Sequence, residues 1–348
     1  MSKPLPIFAH MPWNIKKDII DSADTQTKFS IRRCSKELKT ITNKVPIHYS
    51  SLLFDWGFNE GSIRIERFVT SGRDKRSAVE FIEQRREFIR SKAYPGERLM
   101  KFDRTKKVRK GSFIDAAIEQ FVKLLRCPNT SLGDLNIKLS NVENNRQGQV
   151  RKEEIFRKLV TALGTLECKI QTKGLWMDNQ QNHEDILQFL PFLSPETFKE
   201  FCLTRDRSHC INIDLAEIST TEHWKQARTL TMNNYYMTLP REAIEHFSTA
   251  SYHLETFTVD DAEYIISNFL RPNGWKSRWI DCDSNNYNAL VQCISKMNNV
   301  KKFKDDDSMM FGISKEEFKC RVIVAEDYNR IVFEECSEHR CYRGYREI

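Results

Sequence analysis

A helix-to-strand corner occurs twice in this chain and constrains its fold more than any other feature. The stretches "FVKLLRCPNTSLGDLNIKL", residues 121–139, and "IISNFLRPNGWKSRWIDC", residues 265–282, share one plan. Each runs from an apolar helical pattern through Leu-Arg to Pro-Asn and then into alternating residues. Proline cannot continue a helix, and asparagine tolerates the backbone conformation that ends one. Each stretch therefore predicts a helix that turns back into the next strand.

The same helix–strand unit recurs between these corners. Apolar residues at helical spacing alternate with strand patterns that begin near residues 134, 166, 197, 227, 251 and 276. Units of roughly 25 to 32 residues are within the range of leucine-rich-type repeats, which stack into a parallel sheet backed by helices. A compact doubly wound α/β domain is the alternative, but the glycine-rich strand–helix turn typical of that fold is absent.

The flanking segments have other periods. Residues 47–69 predict a β-hairpin and residues 318–336 a terminal β-hairpin, whereas residues 76–92 return to helical spacing. Within the repeats, a strand is expected at 166–172 and a helix at 243–247. Capping patterns predict helix starts at Thr258, ahead of Asp260 and Asp261, and at Ser314, with Glu317 as the second half of a capping box.

Positive charge is concentrated in one stretch. The formal net charge is +7, and residues 85–110 carry eleven Lys or Arg against three Asp or Glu, so the remainder is close to neutral. Phe88, Tyr94 and Phe102 are interleaved with these charges, which is a pattern that can grip phosphates and stack on bases. A solvated charged loop is the alternative explanation.

Motifs for catalysis, metals and cofactors are missing. The sequence contains no GxxxxGK[ST], GxGxxG, HExxH or GxSxG pattern. Its ten cysteines form no CxxC pair, and Cys336, His339 and Cys341 do not have a usual zinc-finger spacing. Acidic pairs such as Asp260–Asp261 suit helix starts and solvated turns. We therefore expect no enzymatic activity, no metal site and no cofactor.

The sequence also predicts no membrane association. It has no run of about 18 apolar residues and no apolar core of a signal peptide near its start. Most cysteines lie inside apolar runs, which is typical of buried thiols in a reducing compartment. A cytoplasmic or nuclear location, or both, is expected.

The N-terminal segment "MPWNIKKDIIDSADTQTKFSIRRCSKEL", residues 11–38, resembles an F-box. Met11-Pro12 stands where the motif usually has Leu-Pro, and Ile19 and Ile20 match its central aliphatic pair. The resemblance implies a three-helix module at residues 5–45 that docks through an apolar face on the adaptor subunit of an SCF-type cullin-RING ubiquitin ligase. The residues expected on that face are Pro12, Ile15, Ile19, Ile20, Phe29, Cys34 and Leu38.

The remainder resembles nematode F-box proteins that carry an FTH (FOG homology) domain. The hairpin at 47–69, the segment 113–139 and the segment beginning "HWKQARTLTMNNYY" at residue 223 carry this likeness. With the repeat pattern, it gives an expected α/β fold class. A small N-terminal three-helix F-box is followed by a leucine-rich-repeat-like α/β solenoid with a terminal β-hairpin. Residues 46–110 are expected to join the modules, and residues 111–348 to form the FTH-like repeat domain.

The family implies a non-catalytic, substrate-recruiting subunit of the ligase. Its partners would be the adaptor, through it a cullin, and an unidentified target protein held by the repeat domain. Polar residues that alternate with apolar ones in the predicted strands are candidate target contacts, and their neighbours, including Cys168 and Leu254, should point inward. The candidates are Asn136, Lys138, Lys169, Gln171, Thr229, Thr231, His253 and Glu255.

Two alternatives remain open at this point. The candidate residues are also what ordinary exposed positions on the open face of a sheet would look like. The chain would instead be a scaffold or RNA-associated binding protein if its F-box is degenerate, which is favoured by Ala23 and Arg33 at usually aliphatic positions and by the basic stretch.

Overall fold

The chain is a mixed α/β protein in two compact units. A computed structural model describes residues 11–23, 27–28, 31, 34–44, 47–56, 62–69, 75–82, 88–90, 106–107, 112–126, 130–139, 146–178, 183–205, 210–237, 239–269, 276–285, 294–296, 300–305, 308–315, 318–325, 330–335 and 346–347. The first unit comprises Met1–Met177 and Gln188–Phe198, and the second comprises Asp178–Leu187 and Lys199–Ile348. In the described part of the chain, none of the helices is both long and apolar enough to cross a membrane.

The first unit opens with two short helices and continues with strands and two longer helices. Its elements are α1 (Trp13–Ser22), α2 (Lys36–Lys44), β1 (Ile47–Trp56), β2 (Ser62–Val69), β3 (Lys75–Ile82), β4 (Phe88–Arg90), β5 (Lys106–Lys107), α3 (Phe113–Leu125), β6 (Thr130–Leu139) and α4 (Arg146–Leu163). The chain passes between the units in β7 (Gln171–Asp178) and α5 (His183–Phe189), after which two 3-10 turns follow at Leu190–Phe192 and Pro195–Thr197.

Strand β1 is paired along both edges. On one side it is antiparallel to β2, which continues through β3 and β4 to β5; on the other it is parallel to β6. The expected hairpin at 47–69 is therefore confirmed. The helix expected at 76–92 is wrong, since the described residues of that segment belong to strands β3 and β4. Val79 lies opposite Ile65 of β2. The spacing of apolar residues in this segment is compatible with a helix or a strand, and pairing with β2 selects the strand.

One face of this sheet is apolar and packs against α3. Leu135, Ile137 and Leu139 of β6 are fully buried, as their alternation predicted. The rings of Phe54 and Phe121 meet edge to face with centroids 5.2 Å apart. This arrangement buries the apolar stripe of α3, as expected for an amphipathic helix on a half-buried sheet.

Gly133 of β6 lies against the backbone of Ser50 in the neighbouring strand β1. A Cβ atom at this position would lie 2.3 Å from the backbone oxygen of Ser50, with the carbonyl carbon at 3.2 Å. The alternation of buried and exposed residues is interrupted at the same point of both strands. The next fully buried residue after Tyr49 is Leu52, and the next after Leu132 is Leu135. Glycine therefore permits the coupled irregularity that aligns the later apolar residues on one face.

The second unit alternates parallel strands with short helices and then becomes antiparallel. Its elements are β8 (Glu200–Thr204), β9 (Ile211–Asn212), α6 (Ala216–Thr220), α7 (Glu222–Gln226), β10 (Thr229–Tyr236), a 3-10 turn (Arg241–Ile244), β11 (Thr249–Phe257), α8 (Val259–Phe269), β12 (Ser277–Asn285), β13 (Val300–Asp305), β14 (Ser308–Lys315), β15 (Phe318–Ala325), β16 (Arg330–Glu335) and β17 (Arg346–Glu347).

Consecutive parallel strands lie side by side in this unit. Strand β10 is parallel to β8, β9 and β11, and β11 is parallel to β12. Strand β12 is then antiparallel to β16, from which a meander runs through β15 and β14 to β13. The expected terminal hairpin is confirmed as β15–β16. The expected helix at Ser314–Glu317 is wrong, because Ser314 pairs with Lys319 across the hairpin of β14 and β15.

Trp224 holds α7 to the turn that precedes β11. Its indole Nε1–H donates to the carbonyl oxygen of Ala243 at 2.8 Å, and Nε2 of His246 donates to the carbonyl oxygen of Trp224 at 2.7 Å. Phe247 packs edge to face on the indole, with ring centroids 5.0 Å apart. These contacts fix the segment as a 3-10 turn, so the helix expected at 243–247 is reduced to a single turn at Arg241–Ile244.

Arg278 points into the apolar side of the same unit. Its side chain is fully buried, and its Nη2 donates to the carbonyl oxygen of Phe247 at 2.5 Å. Burial lowers the pKa of Arg278 to about 10, so the guanidinium remains charged at neutral pH. A buried cation is retained only where hydrogen-bond acceptors compensate its desolvation.

We expect Gly133→Ala to destabilise the protein by about 2 to 3 kcal/mol, because the clash is with backbone that cannot rotate away. Urea unfolding would measure the change. Gly164→Ala is the matched control: the nearest atom to its added Cβ would be the Thr161 oxygen at 3.3 Å. An equal loss for both variants would contradict the proposed role of Gly133.

A second expectation concerns His246. Burial lowers the pKa of this imidazole below its ordinary 6.5, so the folded state binds fewer protons than the unfolded state. Its contribution is fully present above the unfolded pKa and is lost as the pH falls below about 6.5. His246→Gln keeps an N–H donor without titrating. Its unfolding midpoint should therefore fall less than that of the wild type between about pH 7.5 and pH 5.5. Parallel falls would show that His246 contributes nothing to the pH dependence.

Candidate protein-binding surfaces

Helix α1 has apolar residues on two sides. Ile20 is fully buried against Ile41 of α2, with Ile31 and Leu38 packed around the pair. Lys16 on this buried side donates to Glu37 Oε1 at 2.7 Å. These contacts form the small internal core of the N-terminal module.

The opposite side of α1 carries an exposed apolar stripe. Pro12, Ile15 and Ile19 recur at the spacing of one helix face, and we call them the α1 stripe. Ile15 is 43% exposed and Ile19 39% exposed, and the neighbouring Trp13 is 44% exposed. Isoleucine at this level of exposure on consecutive turns is typical of a surface that another protein covers.

The predicted adaptor contacts therefore divide into different groups. Ile20 is corrected from a docking residue to a core residue, because it is inaccessible from outside the module. Leu38 is half-buried against that core, and Cys34 is exposed beyond α1. Phe29 lies outside the described residues.

In the first unit, Asn136 and Lys138 lie on the half-exposed face of β6, opposite the buried leucines. Asn136 Nδ2 donates to Ser51 Oγ of β1 at 2.7 Å. On the same strand, burial raises the pKa of Asp134, and nearby Lys173 opposes that shift. This surface is polar and internally bonded, so its side chains are already occupied by neighbours.

Lys169 and Gln171 do not form the expected strand surface. Strand β7 begins only at Gln171, so the strand expected at 166–172 is shifted toward the C-terminus. Lys169 precedes it in an exposed connection, and Cys168, expected to point inward, is exposed. The apolar–polar alternation around Ile170 predicts a strand at 166–172 because it has the same two-residue period as the strand that follows it.

The second unit brings the other candidates together. Thr229, Thr231 and His253 are half-exposed, and Glu255 is exposed. On the opposite side of these strands, Leu230, Met232 and Tyr252 are buried, as predicted, whereas Leu254 is half-exposed. The half-exposed side, which we call the open face, comprises Thr229, Thr231, Tyr236, Ser251, His253, Trp279, Asp281 and Arg330.

Five members of this face were not among the residues that the sequence predicted: Tyr236, Ser251, Trp279, Asp281 and Arg330. His253 lies opposite Asp281, which lies opposite Arg330 of the antiparallel strand β16. Arg330 donates from Nε to Asp281 Oδ1 at 2.6 Å and from Nη2 to Oδ2 at 3.1 Å. This hydrogen bonding to Asp281 raises the pKa of Arg330. The Arg330 guanidinium carbon also lies 5.9 Å from the centre of the Trp279 ring, which is 43% exposed.

A bulge in β10 adds Tyr236 to the open face. Asn234 has a φ of 63°, a conformation that asparagine tolerates better than most residues, and its Nδ2 donates to the Arg205 carbonyl oxygen at 2.5 Å. The register with β11 accordingly jumps from Thr231↔Ser251 to Tyr236↔His253. The two rings then meet edge to face at 5.2 Å.

This arrangement is suited to recognition of a protein surface. Tryptophan, tyrosine and arginine are the residue types that most often contribute large binding energies at interfaces. Trp279 and Tyr236 are held by neighbouring side chains, so little rotamer freedom would be lost on binding. Among the described residues, no group of three His, Cys, Asp or Glu side chains could hold a metal ion. The Cys336–His339–Cys341 cluster lies outside the part of the chain that the structure describes.

Asn234 provides a test of this geometry. Asn234→Gly should preserve the bulge, whereas Asn234→Val should cost about 2 kcal/mol, because a β-branched side chain disfavours positive φ. The ring-current contribution of Tyr236 to the chemical shifts of the His253 ring protons should persist in the glycine variant and disappear in the valine variant. Tyr236→Ala serves as the reference for complete loss. A shift retained in Asn234→Val would contradict the role of the bulge.

Comparison with known proteins finds a similarity to one protein family over part of the chain. No curated protein and no solved structure matches the chain. Residues 153–296 match the family model of the FTH domain, a segment that begins in α4 and includes β10, β11, α8 and β12. The FTH domain family is associated with F-box proteins. Residues 153–296, which are less than half of the chain, are therefore similar to the FTH domain.

Proposed function

We propose that this protein is a non-catalytic, substrate-recruiting subunit of an SCF-type cullin-RING ubiquitin ligase. In this proposal the N-terminal module is an F-box that docks on the ligase adaptor and through it on a cullin. The FTH domain and the strands that follow it bind an unidentified target protein. The same proposal includes that the consecutive parallel strands β10, β11 and β12 belong to structural repeats.

The observation that carries the proposal is the exposed α1 stripe. A module whose two described helices bury only Ile20 and Ile41 as its own core has little internal stabilisation. Leaving Ile15 and Ile19 more than one-third exposed adds an apolar surface that gains free energy when covered. The resemblance of this segment to the F-box, and the association of FTH domains with F-box proteins, support an SCF adaptor as the proposed partner that would cover it.

The open face is the proposed target-binding surface. Trp279 would supply the apolar anchor, while His253, Tyr236 and the Asp281–Arg330 pair would surround it with polar contacts. Catalysis would belong to the partners. Tethering a target raises its effective concentration near the conjugating enzyme without any chemistry by this chain. This role would place the protein in the cytoplasm or nucleus.

The basic stretch supports a second candidate, a scaffold or RNA-associated protein. Residues 85–110 carry a net charge of +8, of which the structure describes only the short paired strands β4 and β5. Phosphate-driven binding weakens steeply with salt because counterions are released, whereas an apolar helical contact does not. Salt dependence therefore separates the two candidates.

Adaptor binding should require the α1 stripe. The double variant Ile15→Asp, Ile19→Asp should lose co-purification with the adaptor subunit, because it would desolvate unpaired charges in the contact. Binding of the wild type should persist when salt is raised to about 0.5 M. Both residues are exposed, so the variant should remain folded by circular dichroism.

Asn14→Asp is the matched control, since it adds a charge at an exposed α1 position outside the stripe. It should bind the adaptor as the wild type does. Failure of the wild type to bind would reject the ligase proposal. RNA binding at low salt would then favour the second candidate.

A further inference from the structure

A cavity lies on the helix side of β11, in the second unit. It is bounded by the segment before β11, by β11 itself and by α8, and it has a volume of about 280 Å³. Seven of its ten lining residues are apolar or, in the case of Tyr252, aromatic: Met237, Leu239, Pro240, Ile244, Tyr252, Leu254 and Ile265. This volume is slightly below the usual range for drug-sized ligands, so it is suited to one or two apolar side chains.

The polar lining groups are Thr256, Asp261 and Tyr264. Two of them are fixed by neighbours. Asp261 Oδ2 accepts hydrogen bonds from both Thr258 N and Thr258 Oγ1, at 2.8 Å and 2.6 Å, and so closes the start of α8. Tyr264 donates its hydroxyl proton to Glu245 Oε1. Thr256, by contrast, is exposed at the end of β11 and stands at the entrance.

The surroundings of this cavity are acidic. Glu242 and Glu245, on the turn before β11, are exposed, and both interact electrostatically with the lining residue Tyr264. Arg278 interacts electrostatically with Tyr252 and Tyr264, but it is fully buried and directed to the Phe247 carbonyl. It therefore does not neutralise the rim that an incoming ligand would meet.

We propose that this cavity binds an apolar side chain of a partner protein segment in which lysine or arginine flanks that side chain. The apolar lining sets the class of the inserted side chain, and the acidic rim selects the flanking charges. A complementary field would also accelerate association. If the chain is a substrate receptor, as proposed above, this chemistry describes one recognition element of its target.

The cavity and the open face are separate surfaces. Tyr252, Leu254 and Thr256 line the cavity, whereas His253, which alternates with them along β11, belongs to the open face. Substitutions at adjacent β11 positions can therefore alter one surface without touching the other.

The probe is a fluorescein-labelled pentapeptide, Lys-Arg-Leu-Lys-Arg, titrated with the full-length protein while fluorescence anisotropy is recorded. Replacing its central leucine by glycine should weaken binding by about tenfold or more, since the transfer of one leucine side chain would be lost. A peptide with glutamate at the four flanking positions should bind still more weakly.

Two variants test the location of the site. Thr256→Trp should plug the entrance and weaken binding by at least about tenfold. Glu242→Lys should weaken binding and flatten its salt dependence. The controls are Thr220→Trp and Glu217→Lys, which place the same side chains on α6, outside the cavity lining, and should bind within about twofold of the wild type. All four substituted residues are exposed, so these variants should fold.

The proposal is overturned if the wild type does not bind the peptide, if glycine replaces leucine without loss, or if Thr256→Trp binds normally. Equal weakening by Thr220→Trp would also overturn it, because the loss would then not be specific to the cavity. None of these results depends on the adaptor. Peptide binding without adaptor binding would retain the cavity and reject the ligase proposal, and the reverse result would do the opposite.

Discussion

The pairing of β1 with β6 is the constraint on which the first unit depends. Strand β1 forms hydrogen bonds along both edges, and its parallel partner lies on the far side of the antiparallel strands and α3 in the sequence. In the folded structure this long-range pairing forms the apolar face on which Phe121 of α3 packs against Phe54. It is possible only because Gly133 lets the Ser50 carbonyl approach. The absence of a side chain at Gly133 thus decides whether β1 and β6 can share one core. The pairing also closes the long loop between these strands, and its free energy must offset the entropic cost of that closure.

Local sequence patterns predicted the elements whose stability is itself local. Helices α3, α4 and α8 have strong amphipathic spacing, and Thr258 with Asp261 forms the expected cap. Prediction failed where a distant partner determines the outcome. Residues 76–82 fit helix or strand equally well until β2 supplies a pairing edge. The segment at 243–247 loses its helical continuation because Trp224 takes the Ala243 carbonyl and His246 turns toward the Trp224 backbone.

Prediction of the candidate surfaces likewise succeeded for features that depend on local sequence and failed for those that depend on a distant strand. Alternation correctly identified which side of β10 and β11 carries Thr229, Thr231 and His253, because period two is a local property. It could not place Arg330 beside Asp281, 49 positions earlier in the sequence, since only the sheet register brings them together. The F-box resemblance likewise marked Ile19 and Ile20 as one pair. In the folded module they separate, one facing solvent and the other the core, because adjacent helix residues differ by about 100° around the axis.

Strand β12 has an inverted pair with consequences for the order of assembly. Arg278 is directed to the interior and Trp279 to solvent, opposite to what hydrophobic collapse alone would select. A nascent β12 that docked by hydrophobicity would bury the tryptophan and expose the arginine, shifted by one residue from its native position. The native choice becomes favourable once the Phe247 carbonyl is in place to receive the guanidinium. The turn organised by Trp224 is thus expected to form before β12 docks. The Phe247 carbonyl oxygen would then favour the native register of β12 over the register that is shifted by one residue.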